Sequence, residues 1–402
     1  ALEDTSLPIE LHIDSDMKGA EINLPAPFAK QADIKRELLV NIIFDERTNL
    51  TINFGEDIKS YLELEKKLIT NGVLSIKSDR SELPEENQFL IEGHLKAANL
   101  LEWKNIYPQI FNLDDTKDSK LTPIFDVVID KIEFAGLSVD TIGINGGYQN
   151  REWMLGIKSE LLEGHLWIPS DPSDLIIADL ERLSLPTLSD TSATKDSIHP
   201  ADFPHLKLSV RNFSVGDKKF GESKLLMIPQ ENGIKITGIN ANLLGISIGD
   251  KKTETIIEWV VEKDQHSTVF NGSLRLDDIG ETLKSWGYPM IMDSKKAQFI
   301  SQLNWKGKPW QISPESINGI VELNLKDGHF YQDSSGTTNT LVRLVSLFNF
   351  DNWIRRLQLD FSDLYEKGMS YNKMSGNLVF ETGKLIFDPP VKVDLPSGHI
   401  KL

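Results

Sequence analysis

Along most of this chain apolar and polar residues alternate one for one, the period of a strand with one dry face and one wet face. LHID (11–14), NIIF (41–44), LTINF (50–54), FDVVID (125–130), HLKLSV (205–210), GIKITGI (233–239), GSLRL (272–276), GIVELNL (319–325) and GNLVF (376–380) all carry it. Turn pairs such as Asn232-Gly233, Asp327-Gly328 and Thr382-Gly383 punctuate the alternation. The pattern predicts a mainly β protein, with antiparallel strands joined by tight turns.

Three stretches change period and predict helices, over 97–109, 278–287 and 338–358. The first two look like copies of one device. IEGHLKAANLLEWKNIY (91–107) and FNGSLRLDDIGETLKSWGY (270–288) both run strand, Gly, alternating residues, short helix, Trp, aromatic, with Gly93 matching Gly272 and Trp103 matching Trp286. Each helix is expected to cap the end of a curved sheet, and the repetition points to an extended stack. The segment 187–202, TLSDTSATKDSIHPAD, is rich in Ser, Thr and Asp and has no apolar period. It is expected to be a linker between β segments at 1–186 and 203–402. IKSDRSELPEENQ (76–88) reads as a second charged loop.

Composition narrows the function classes. The 402 residues suit two or three domains or one elongated repeat, and 40% apolar residues with 18 Phe and 8 Trp can build a core. A net charge of −17 disfavours a nucleic-acid surface and broad adhesion to anionic headgroups. Any lipid contact is therefore expected to be with acyl chains, inside something. The absence of cysteine removes disulfides, thiolate zinc sites and cysteine nucleophiles, and leaves the compartment open. No stretch of about 20 apolar residues exists for a transmembrane helix. The chain opens at Ala1 without a signal peptide and reads as a piece excised from a longer protein.

Candidate chemistry is sparse. The histidines, His12, His94, His165, His199, His205, His266, His329 and His399, form no ligand-spaced pair, and most are expected on the polar faces of strands. Gly143-x-x-Gly146-Gly147 lacks the Lys-Ser/Thr and the helix of a phosphate loop, so it reads as a strand-to-strand turn. No Gly-x-Ser-x-Gly elbow is present. Carboxylate pairs such as Asp114-Asp115 and Asp277-Asp278 are expected by chance among 60 acidic residues. The expectation is no enzyme, no metal and no cofactor.

The third helical stretch differs from the others. Seven of the ten residues from Leu341 to Phe350 are apolar, and Arg343, Ser346 and Asn349 fall on one narrow stripe. That apolar circumference is wider than a surface helix needs. Two readings fit: a helix buried between sheets, or a lid over an apolar groove with Leu344, Leu347, Phe348 and Phe350 facing apolar surface. Behind it, Arg355 and Arg356 can fork to Asp360 or Asp363 and anchor the helix, which is favoured over headgroup binding because the acids follow within one short turn.

The same region carries a family resemblance. Arg355-Arg356-Leu357, Leu359-Asp360-Phe361-Ser362-Asp363, Lys367-Gly368, Tyr371 and Gly376 resemble the C-terminal region of the YhdP proteins, large AsmA-like proteins of the Gram-negative envelope. IDSDMKGAEINLPAPFAKQ (13–31), WMLGIKSELLEGHLWIPS (153–170), LIIADLERLSLP (175–186), LDDIGETLKSWGYP (276–289), QLNWKGKPW (302–310) and GIVELNLKDGHFY (319–331) continue the match in the family's order. No stretch of this sequence resembles the family's N-terminal inner-membrane anchor or its long preceding β region, and the sequence is expected to be a fragment that stops where the family continues. It resembles the last-but-one third of the full protein.

The resemblance implies an elongated, curved antiparallel sheet forming a repeating β-groove in the periplasm. Its apolar interior would carry phospholipid acyl chains, with inner- and outer-membrane contacts made by parts not in this chain. Candidate lining residues are Leu206, Leu208 and Val210, then Ile234 and Ile236, Leu274 and Leu276, Val321, Leu323 and Leu325, and finally Leu378 and Phe380. Alternation alone does not separate such a groove from a sandwich whose second sheet fills the same face. Two other readings remain: a periplasmic scaffold that assists outer-membrane protein assembly by offering a sheet edge to a client strand, and a β-solenoid polysaccharide-acting enzyme, disfavoured by the missing acid/base pair.

Overall fold

A computed structural model describes residues 8–66, 68–78, 82–99, 102, 121–134, 137–171, 173–186, 199–249, 254–287, 290, 292–313, 315–331, 369–381 and 383–401. The chain is mainly β, and its sheet is curved and mixed. It divides into two compact units, Ala1–Ile198 and His199–Leu402.

In the first unit, β1 (Ile9–Ser15), β2 (Leu38–Phe44), β3 (Thr48–Phe54), β4 (Ile58–Glu65) and β5 (Leu68–Ile76) form an antiparallel meander. The expectation of a purely antiparallel sheet fails next. β6 (Gln88–Leu95) pairs parallel to β5, and β8 (Thr122–Phe134) pairs parallel to β6. The physical reason is a crossover. β5 ends at Ile76 and β6 starts at Gln88 running the same way, and parallel pairing requires a return connection in place of a hairpin reversal. On what would be the wet face of β5, Val73 and Ser75 are fully buried, and Asn71 Nδ2 donates to the Pro84 carbonyl at 3.4 Å. β9 (Leu137–Gln149), β10 (Glu152–Lys158), β11 (Leu162–Pro169) and β12 (Ile176–Leu185) resume the antiparallel order.

Two local expectations change in this unit. Ala98–Asn99 forms a short strand, β7, parallel to β8, where the first helix was expected to begin, and 103–109 lie outside the described residues. Gly143, Gly146 and Gly147 are not a turn but the interior of β9. Gly146 holds a φ of 138°, and a Cβ there would meet the Met154 carbonyl oxygen at 2.0 Å. The glycine serves close approach of a neighbouring strand.

The second unit is antiparallel throughout its described pairings. β13 (Leu206–Val215), β14 (Lys218–Gln230) and β15 (Gly233–Leu243) are followed by β16 (Ile246–Ile248) and β17 (Ile256–Glu262), which both bridge β15 to β18 (Gln265–Leu276). β19 (Met292–Lys306), β20 (Ile317–Phe330) and β21 (Met369–Glu381) extend the sheet. It ends in β22 (Lys384–Phe387) and β23 (Lys392–Leu395), both on β21, and β24 (Gly398–Lys401) on β23. Register shifts at Val210/Phe213 and Lys224/Leu226 are bulges, which bend a sheet and increase its twist. Asp327-Gly328 is a kink inside β20 and not a reversal. Asp327 takes a φ of 51°, while β20 keeps its pairing with β19 as far as Phe330.

The predicted second helix is present as α1 (Ile279–Ser285). Asp278 caps it, its Oδ1 accepting from the Glu281 N–H at 2.9 Å. Ile279 and Leu283 project from it into the core. The third predicted helix lies outside the described residues, and with it Leu344, Leu347, Phe348, Phe350, Arg355, Arg356, Asp360 and Asp363.

Candidate functional site

Strand register in the second unit lines up one continuous apolar face. Leu206 and Leu208 oppose Met227 and Leu225. Met227 opposes Ile236, which opposes Ile257, which opposes Phe270. Phe270 faces Leu303, and Leu274 faces Phe299 and Ile248. Phe299 opposes Leu323, and Val321 opposes Leu378, which opposes Phe387. The alternate positions form the wet face: Lys207, Lys224, Glu258, Asn271, Arg275, Gln302, Glu322 and Asn377. A one-residue slip anywhere would mix the two sets, so the alternation itself fixes the register.

This face is closed at both strand ends and less covered between them. At one end α1 folds over the strands. Leu276, Ile279, Leu283, Met292, Leu323, Leu325, Phe330, Tyr371, Met374 and Val393 pack there as one buried cluster. Trp286 Nε1 donates to the Leu243 carbonyl at 3.2 Å and fastens α1 to the β15 end. At the other end Trp259 and Trp305 are buried, with Trp310 and Phe203 packed against Trp259 at ring distances of 5.3 and 6.3 Å. In the middle, Met227, Ile236, Ile257, Phe270, Leu274, Phe299, Leu303 and Leu378 are only half-buried. They form an apolar band running across the strands, in the direction in which strands stack about 4.8 Å apart.

All twelve candidate lining residues sit on this one face. Leu206, Leu208, Ile236, Leu274 and Leu378 are half-buried. Val210 and Ile234 are buried, Leu276, Leu323 and Leu325 belong to the α1-end cluster, and Val321 and Phe380 pack with Ile317. Sequence reasoning passed over Phe270, Phe299 and Leu303, although the same alternation runs through VFNGSLRL and QFISQLNW.

The first unit repeats the arrangement. Leu11, Ile42, Leu50 and Leu62 share one face across β1 to β4, while His12, Asn41, Thr51 and Tyr61 share the other. β8 to β11 continue it with Phe125, Gly146, Leu155 and Leu166 in register.

Polar chemistry on the dry face is confined. His266 departs from the expectation of wet-face histidines: it lies on the same face as Thr268 and Phe270, beside Trp259, whose Nε1 donates to His266 Nδ1 at 3.0 Å. Burial, then the charges of Lys308 and His199, push the His266 pKa down. Among the described residues no group of three or more His, Cys, Asp or Glu stands close enough to hold a metal ion, and no helix is long and apolar enough to cross a membrane.

The sequence profile of the YhdP protein family matches residues 2–400. The chain belongs to the YhdP family. It is 22% identical over 409 residues to the intermembrane phospholipid transporter YhdP of Escherichia coli strain K12, an alignment that covers 94% of this chain and 30% of that protein. The chain therefore spans less than a third of the length of the relative it matches. No solved structure matches it. Within this YhdP-family chain, the Lys-Gly…Leu-Pro-x-Pro…Lys stretch makes a buckle after β1. Ile22 bridges Lys30, the Gly19 N–H donates to the Ala32 carbonyl at 2.7 Å, and the buried Lys30 Nζ donates to the carbonyls of Ala20 and Gln31 at 2.7 and 3.0 Å.

Proposed function

We propose that this chain is a non-enzymatic segment of a periplasmic conduit that moves phospholipids between the inner and outer membranes. Acyl chains lie along the half-buried band, and headgroups stay at its edge in water. The observation that carries the reading is the band itself: Ile236, Ile257, Phe270 and Leu303 form one in-register apolar row, Leu274, Phe299 and Leu378 lie on the same face beside it, and all stay only half-buried while both ends of the same strands are closed. Each acyl CH₂ leaving water contributes about 0.8 kcal/mol, so retention grows with the length of trough occupied and depends little on any one residue. The relative's role in intermembrane phospholipid transport supports this reading. Attachment to the inner membrane belongs, in this proposal, to other parts of the longer protein.

The test is lipid extraction and native mass spectrometry of the purified chain. Phospholipid should co-purify and exchange with added phospholipid. A folded chain that carries none, and takes up none from mixed micelles, overturns the proposal.

A further inference from the structure

The tryptophan end of the second unit collects hydrogen-bond donors and positive charge on a chain whose net charge is −17. Trp259 gives its N–H to His266 Nδ1 at 3.0 Å, so the neutral imidazole carries its own proton on Nε2 and is a donor there. Trp310, edge-on to Trp259 at 5.3 Å, has a buried Nε1 with no acceptor. Such a group carries a desolvation penalty unless something accepts from it. Lys308 is 3% exposed and places its ammonium 5.9 Å from the Trp310 ring centre. The His199 ring lies 6.3 Å from that of His266. Asp264, in the turn before β18, is the acidic group that acts on His266, against Lys308 and His199. The corner adjoins the apolar band, two residues along β18 from Thr268 to Phe270. Indole rings at such a boundary suit a molecule with one apolar and one wet end.

We propose that this corner binds the phosphate of a phospholipid headgroup. Trp310 Nε1 and His266 Nε2 donate to phosphate oxygens, and Lys308 supplies positive charge at short range. The proposal rests on the reading that acyl chains occupy the band: a lipid with its tails beside Phe270 and Leu303 would bring its phosphate to His266 and Trp310. It gives the conduit a resting position for a headgroup. Recognition would be of the phosphate common to phospholipids, since the donors named address phosphate oxygens alone.

The experiment compares three probes on the intact chain: a short-chain phosphatidylglycerol, the diacylglycerol with the same chains, and inorganic phosphate. Calorimetry reads affinity, and NMR of the His266 imidazole reads its pKa. Phosphatidylglycerol should raise that pKa by about one unit, because an adjacent anion favours the imidazolium. Trp310→Phe keeps the ring, removes the donor, and should weaken phosphatidylglycerol roughly tenfold, the loss expected for a hydrogen bond to a charged group. Diacylglycerol binding should not change. If Trp310→Phe fails to fold, Lys308→Met carries the same comparison. Equal binding of the two lipids, in wild type and variant alike, overturns the headgroup site and leaves the groove intact. Failure of both lipids to bind overturns the groove and this site together. A full His266 shift from inorganic phosphate alone assigns the corner to a free anion and overturns the headgroup assignment.

Discussion

Leu274 and Leu276 are two residues apart on the same strand and point to the same face, yet Leu276 is 8% exposed and Leu274 is left half-buried. Their amino-acid chemistry is identical. What differs is α1: Leu276 belongs to the buried cluster that includes Ile279 and Leu283 of α1, and Leu274 does not. Leu325, 1% exposed inside that cluster, is likewise better covered than Leu378 and Phe299, which are half-buried where they pack against its edge. A fully buried Leu or Phe gains about 1.5–3 kcal/mol over an exposed one, and the mid-strand residues collect only part of that. The remainder is available to an apolar ligand. Openness here is a property of the covering element and not of the strand.

The strongest way to break this contrast is to place a charge on each side of it. Leu323 is 5% exposed within the α1-end cluster, and Leu323→Asp should unfold the second unit, because an unpaired carboxylate among apolar side chains costs several kcal/mol. Leu208, half-buried on β13, should tolerate Asp with little loss of structure, while lipid co-purification falls. Circular dichroism and protease resistance read the first effect, and lipid extraction reads the second. Equal unfolding by both substitutions would make the band an ordinary core.

Truncation gives a smaller and more graded comparison. Phe330 is 1% exposed beside Tyr371, their rings 5.1 Å apart, and Phe330→Ala should cost about 3–5 kcal/mol. Phe270, only half-buried in the band, should lose less than that on the same substitution, in proportion to the smaller area it has removed from water. Urea denaturation midpoints at unchanged m-value decide between them. A Phe270→Ala loss as large as that at Phe330 would mean that the band is packed as tightly as the closed end.

The sequence showed the strands and their dry face well, because a period of two is set by backbone geometry and survives any tertiary arrangement. Every alternating segment named from sequence lies largely or wholly within a strand, and all twelve lining candidates fall on one face. The turns were less legible. Asn150-Arg151 and Lys263-Asp264 reverse the chain with positive φ and no glycine, whereas Gly146 and Gly328 sit inside strands where a neighbour comes close. Glycine marks a tight approach as readily as a reversal. Parallel pairing of β5, β6 and β8 left no trace in the alternation, since a half-buried strand reads the same in either direction. The division of the dry face into closed and open parts was invisible for a related reason: it depends on where α1 and the β22–β24 strands dock. The tryptophan corner joins Phe203, Trp259 and the Trp305–Trp310 stretch from three separate segments, so no single local motif announces it.

The smallest expected effect tests whether α1 is what closes its end. With seven residues α1 is too short to be stable alone, so it depends on its cap and on Ile279 and Leu283 beneath it. Asp278→Ala removes the side-chain acceptor for the Glu281 N–H, while the Asp278 backbone carbonyl still accepts from the Thr282 N–H at 3.1 Å. The cost should be about 1 kcal/mol, too little to unfold the unit and enough to fray the first turn. The turn that opens lies against Gly245, where an added Cβ would meet Thr282 Oγ1 at 2.5 Å, so fraying uncovers Ile246 and Leu276 first. Hydrogen exchange should therefore speed up at the Glu281 and Thr282 amides, with β18 and β19 unchanged, and the apolar band should lengthen toward α1. Unaltered exchange in α1 would show that burial of Ile279 and Leu283 alone holds the helix down, and that the boundary between closed and open face is set by packing without help from the cap.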